Sequence, residues 1–189
     1  IAITDHGVMY GCIQFYKEAK KAGIKPIIGC EVYVATRTRF DKVSHIDGNN
    51  HLILLCKNET GYKNLIKMVS KAFVEGFYSK PRVDKELLMQ YHEGLIVSTA
   101  CLGGEIPRKI DDGNISGAEE SIQWFKNVFG DDFYLEIQRH KTTRPDADQT
   151  TFPKQQSVNK EIIKLGEKHG VKVIATNDAH FVNEEDADA

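Results

Sequence analysis

Nothing in this 189-residue sequence approaches the ~20 consecutive apolar residues that span a bilayer, and no secretory leader is visible. Cysteine is scarce and scattered. Cys12, Cys30, Cys56 and Cys101 include no Cys-x-x-Cys pair, which argues against a zinc ribbon and a disulfide framework. Dispersed thiols of this kind suit a reducing cytoplasm. An excess of one charge is also lacking: 25 Lys and Arg stand against 27 Asp and Glu, a net charge of −2. That balance speaks against a strongly basic nucleic-acid module and against an acidic tail. There is no low-complexity tract. There is no initiator methionine either. Ile1-Ala2-Ile3-Thr4 reads as the inside of a buried strand, so the sequence is expected to be a trimmed piece of something longer.

What is present is an ordinary globular composition, 41% hydrophobic and 28% charged, in a length that suits one domain with a substantial core. Short runs rich in Ile, Val, Leu and Tyr fall at 1–4, 27–34, 51–57, 94–98, 133–137 and 172–176. They are continuous rather than alternating, the pattern of strands covered on both faces of a parallel sheet. Helical patterns lie between them. Tyr62, Leu65, Ile66, Val69 and Phe73 share one face over 60–74. Ser116-x-x-Glu119 reads as a capping box before Ile122, Phe125 and Phe129. Pro153 sits in the expected first turn of a helix over 153–169. Gly23 and Gly170 each follow a cationic last turn and precede a strand, which predicts left-handed caps. About six such β-then-α units predict an α/β protein, either an open doubly wound sheet or a (β/α) barrel.

In both architectures ligands gather at the C-terminal ends of the strands. The first strand ends Thr4-Asp5-His6-Gly7 and the last ends Thr176-Asn177-Asp178-Ala179-His180. Glu31 lies in the second strand and His51 opens the third. The fourth runs into Ser98-Thr99-Ala100-Cys101, and the fifth into Gln138-Arg139-His140. Imidazole and carboxylate donors on one rim suit Zn²⁺, Mn²⁺ or Fe²⁺, and a single thiolate leans towards Zn²⁺. The bland alternatives are a helix cap for Asp5 near Val8, a paired core carboxylate for Glu31, and a small buried hydrophobe for Cys101. His45, His92 and His169 fall away from the strand boundaries and receive no role.

The motifs Ala2-Ile3-Thr4-Asp5-His6-Gly7, Gly29-Cys30-Glu31, His51-Leu52-Ile53-Leu54-Leu55, Ser98-Thr99-Ala100-Cys101 and Asn177-Asp178-Ala179-His180-Phe181 resemble the PHP (polymerase and histidinol phosphatase) domain. More narrowly, the sequence resembles the PHP domain of bacterial DNA polymerase III alpha subunits. Gly61-Tyr62-Lys63-Asn64-Leu65, the segment from Glu75 to Asp84, Cys101-Leu102-Gly103-Gly104-Glu105-Ile106 and the run from Tyr134 to His140 carry that narrower likeness.

The resemblance implies a distorted (β/α)7 barrel, missing its first strand in this sequence, with a cluster of up to three Zn²⁺ or Mn²⁺ ions at its mouth. It implies His6, Glu31, His51, Cys101, Asp178 and His180 as metal ligands, with Glu31 as a bridge. Asp5 would support catalysis, and His140 is a weaker catalytic or ligand candidate. The activity implied is metal-dependent 3′–5′ exonuclease hydrolysis of a terminal phosphodiester. The alternatives are a silent scaffold of the polymerase and, less favoured, a histidinol-phosphatase-like phosphoesterase. Arg139, Lys141 and Arg144 follow the fifth strand and could neutralise a DNA backbone, although a solvated basic loop explains them as well. The implied partners are the remaining polymerase domains, primer–template DNA and, through the parent, the clamp and the proofreading subunit, with no membrane. The family's first motif, a His-x-His strand, would lie upstream of Ile1. Without it the sequence is expected to be poorly active alone.

Overall fold

The computed structural model describes residues 1–183 and 186. Seven strands form one curled sheet: β1 (Ala2–Ile3), β2 (Ile27–Ala35), β3 (Asn49–Cys56), β4 (Arg82–Val83), β5 (Leu95–Ser98), β6 (Phe133–Gln138) and β7 (Lys172–Thr176). Their order is β1-β2-β3-β5-β6-β7, with β4 sharing the β1 edge of β2 further along that strand. Among the described residues six α-helices accompany them: α1 (Cys12–Lys21), α2 (Glu59–Val74), α3 (Lys85–Tyr91), α4 (Glu105–Asp111), α5 (Ile115–Phe129) and α6 (Thr151–His169). The result is an α/β half-barrel, consistent with part of a (β/α)7 barrel.

One expectation fails in an informative way. The sheet is not all parallel, because β3 runs antiparallel to both β2 and β5. The residues between β2 and β3 make a long hairpin connection and not a helical crossover. Asp47 closes that hairpin by accepting from Arg37 Nε and Nη2, both at 2.7 Å. Reversal of β3 brings its first residues to the end of the sheet where the parallel strands finish. His51 therefore reaches the rim from a strand's start.

Packing explains most of the rest. Leu65, Met68, Val69 and Ala72 of α2, Ala118, Ile122 and Phe125 of α5, and Val158, Ile162 and Leu165 of α6 are buried against Leu54, Val97 and Leu135 of the sheet. A Cβ at Gly29 would lie 2.6 Å from the Leu54 carbonyl, so glycine permits the close β2–β3 approach. Gly23 and Gly170 do take positive φ, 72° and 62°, behind α1 and α6. The cap of α5 is Asn114, whose side chain accepts from Gly117 N, and Ser116 lies inside the first turn. The helix expected near Val8 begins at Cys12 with Gly11 as its cap, so Asp5 does not cap it.

The short β4–α3 unit is held by polar groups that have no periodic signature. Arg82 is fully buried and donates to the carbonyls of Gly76, Arg39 and Asp41 at 3.1, 3.3 and 2.8 Å. Asp84 caps α3 through Leu87 N and also accepts from Arg39. Buried charges of this kind persist because most of their polar atoms have partners; at Arg82, Nε and Nη2 are paired while Nη1 makes no hydrogen bond.

Candidate metal centre

The site begins where β1 ends. The chain keeps its register with β2 beyond Ile3: Glu31 N donates to the Asp5 carbonyl at 3.0 Å and Gly7 N to the Glu31 carbonyl at 2.8 Å. His6 and Glu31 are thereby bridged side by side. The chain then turns away at Gly7, where φ is +68° and a Cβ would stand 2.9 Å from Pro81 and 3.0 Å from the Tyr33 ring. From the other side, β3 pairs His51 with Tyr33, two residues past Glu31. His51 N donates to the Gly103 carbonyl at 3.0 Å, tying the loop after β5 to the same corner. A Cβ at Gly103 would lie 3.0 Å from His51 Nδ1, so any larger residue in this loop would press on the imidazole.

Three donors converge. Glu31 Oε1 is 3.2 Å from His6 Nε2 and 2.6 Å from His51 Nδ1, and one ligand atom from each side chain lies within 4.8 Å of the others. Cys101 Sγ is 3.5 Å from the same His51 nitrogen and accepts from Gly103 N at 3.4 Å. The Glu31 side chain is only 3% exposed, yet its Oε1 makes no hydrogen bond of normal geometry. A carboxylate buried so deeply favours positively charged or hydrogen-bonding neighbours. Two imidazole nitrogens, this one carboxylate oxygen and a thiol fit a divalent cation, with the sulfur favouring zinc. The Cys101 thiol and then the Glu31 carboxylate push His51 up to about 9. Burial raises Cys12 and pushes Cys30 and Cys56 up to about 12.

A cleft of about 600 Å³ opens beside these donors, and Asp5, His6, Glu31, Glu136, Asp178 and His180 all face it. The His180 ring centroid is 5.2 Å from that of His6. Asp178 takes φ of 49°, a left-handed conformation, directly after β7. His51 and Cys101 are not on the cleft wall. His51 meets the cluster through Glu31, and Cys101 meets it through His51. The strand ends read from sequence are therefore gathered on one rim, in two groups: His6–Glu31–His51–Cys101 and Asp178–His180.

This arrangement has counterparts among known proteins. The family described as PHP domain matches residues 1–140. The chain belongs to the PHP domain family. Curated relatives extend the likeness past residue 140. The DNA polymerase III subunit alpha of Borreliella burgdorferi is 51% identical over 191 residues, covering 100% of this chain and 16% of that protein. The subunit of the same name from Thermus aquaticus is 43% identical over 192 residues, covering 100% and 15%. That of Aquifex aeolicus is 43% identical over 193 residues, covering 98% and 16%. The chain thus spans about a sixth of the length of these relatives.

Around this corner of the PHP domain, the other candidates fall into place less directly. Asp5 lines the cleft, and a Cβ at Gly11 would be 3.3 Å from its carboxylate. His140 stands beside the Asp178 loop with both ring nitrogens in hydrogen bonds. Arg139 is exposed and lies 5.6 Å from the Phe152 ring centroid. Arg144 pairs with Asp146, and Lys141 is exposed. Sequence reasoning gave no role to the floor of the cleft. There Glu136 is buried and accepts from Ser98, Thr176 and Gln138 side chains. The available signal was a glutamate in the middle of an apolar strand.

Proposed function

We propose that this PHP domain is part of a bacterial DNA polymerase III alpha subunit, acts in DNA replication in the cytoplasm, and hydrolyses terminal phosphodiesters 3′ to 5′ with divalent metal. The convergence of His6 Nε2, His51 Nδ1 and the buried Glu31 oxygen within 4.8 Å of one another at the mouth of a cleft supports the reading, because these are the donors of a divalent-cation site. His6, Glu31, His51, Cys101, Asp178 and His180 would hold up to three ions, Zn²⁺ or Mn²⁺, with Glu31 shared. A bound divalent cluster supplies Lewis acidity towards a phosphoryl oxygen and a water of lowered pKa. The chain's own residues set the geometry. The bridge between His6 and Glu31 fixes the inner donors, the Gly103 turn seats His51, and the wall of Asp5, Asp178 and His180 keeps the cleft acidic and open. Arg139, Lys141 and Arg144 would neutralise backbone phosphates beside it. Asp5 would orient His6 or the attacking water, and His140 would act from the rim.

The test is Asp178→Ala in the full-length natural protein, with primed DNA and Mn²⁺ or Zn²⁺. Loss of 3′-end trimming by tenfold or more, with lowered metal content, is expected. Unchanged trimming would refute cutting at this site.

A scaffold role has its own supporting observation. Tyr10, Ile66 and Phe73 border an apolar depression, and Val74 and Phe77 nearby are 85% and 50% exposed. A neighbouring polymerase domain would cover such a face. Bound metal without any trimming would favour this reading and leave the metal a structural part.

A further inference from the structure

Strand pairing between β6 and β7 ends at Gln138 and Thr176. The next residues carry Asp178 and His180, and Asp178 adopts backbone that side-chain-bearing residues rarely take. A loop of this kind needs an anchor in place of the lost ladder. His140, two residues beyond the last paired position of β6, supplies one: its Nε2 lies 2.7 Å from the Asn177 carbonyl.

The proton on that nitrogen is fixed by a third residue. Gln155 of α6 is 3% exposed. Its Oε1 accepts from the His140 backbone N–H at 2.7 Å, which turns its amide NH₂ towards His140 Nδ1 at 2.8 Å. An amide NH₂ can only donate, so Nδ1 must accept and the ring proton sits on Nε2. The Asn177 carbonyl can only accept, and it faces that proton. All the groups agree on one tautomer. The imidazole then has no lone pair left for an ion. At the next carbonyl along, His180 Nδ1 lies 2.8 Å from the oxygen of Asp178, so two imidazoles brace consecutive peptides of the turn.

We infer that His140, set as its Nε2–H tautomer by Gln155, is a positioning residue that pins the Asn177 carbonyl and so presents Asp178 and His180 to His6 and Glu31. Its purpose rests on the metal-centre reading, but its geometry does not. The link also runs from α6 to the rim, so helix docking and ligand placement are mechanically joined.

The experiment compares His140→Leu, His140→Gln and Gln155→Leu in the full-length protein. Glutamine offers an N–H donor of similar reach, whereas leucine offers none. Two readouts are taken: amide hydrogen exchange over 177–181 without metal, and Mn²⁺ or Zn²⁺ affinity by titration. Exchange severalfold faster in His140→Leu and Gln155→Leu, and restored in His140→Gln, is expected. Metal affinity is expected to follow, weakening roughly 10–100-fold in the leucine variants, the usual cost of losing an outer-shell partner. Unchanged exchange in His140→Leu overturns the inference. So does equal loss of metal affinity in His140→Gln and His140→Leu, which would make the imidazole itself a ligand. If the unaltered protein takes up no metal, the metal-centre reading falls and the exchange data alone decide the anchor.

Discussion

Gly61→Ala tests how tightly the fold behind the site is specified. The α2 N-terminus lies against the turn at Gly94, where Asn58 caps the helix by accepting from Gly61 N at 3.0 Å and Lys57 N donates to the Gly94 carbonyl at 2.8 Å. A Cβ on Gly61 would stand 1.8 Å from the Gly94 oxygen and 2.5 Å from its carbonyl carbon. Both are backbone atoms, so no flexible side chain can yield. Reaching even 3.0 Å means that helix and turn part by roughly 1.2 Å. Overpacking of this kind costs about 1–3 kcal/mol. The cap adds about 1 kcal/mol and the strained backbone bond about 1 kcal/mol. Alanine returns up to about 1 kcal/mol in helix propensity. The net expectation is a loss of about 2–4 kcal/mol, or roughly 4–16 °C in melting temperature for a domain of this size. Thermal unfolding followed by circular dichroism on the wild-type and variant chains measures it. A melting temperature lowered by under about 2 °C, or raised, would show that the turn moves freely and that the clash argument is wrong.

Two further outcomes concern charge and ligand chemistry. Cys101→Ser is expected to weaken Zn²⁺ binding far more than Mn²⁺ binding, since only the softer ion gains from sulfur, and competition titration would show it. Asp47 is held down to about 2, chiefly by the Arg37 guanidinium, against an ordinary 3.8. A depressed folded-state pKa stabilises above the unfolded value and stops doing so as pH falls through the folded one. Acid unfolding should therefore steepen between pH 3.8 and about 2, and Asp47→Asn should flatten that limb in a pH-dependent denaturation series.

Much of the site was legible because its residues mark strand ends. Thr-Asp-His and Asn-Asp-Ala-His are local strings, and the sheet had only to bring them to one rim. The direction of β3 was not legible, because a run such as His51–Cys56 is apolar whichever way it points. The two-residue β4 was invisible for a similar reason. Arg82 and Val83 have no periodicity, and the carbonyls that hold Arg82 come from residues up to 43 positions away. The α5 cap was misread by two residues, because Ser116 and Asn114 are both good caps and only the backbone decides between them. Gln155 offered no signal, since a polar residue on a helix gives no hint that it is buried against a distant histidine.

The four thiols carry a practical consequence. Three of them are kept protonated by burial well above neutral pH. Cys101 alone sits at the rim, beside an imidazole and a backbone N–H. Of the two thiols that are partly exposed, Cys56 and Cys101, only Cys101 lies beside the His51–Glu31 pair, so a thiol-selective reagent that modifies it would act next to the candidate ligands. Protection of that one atom from alkylation would then report occupancy of the corner directly, with no need for a substrate.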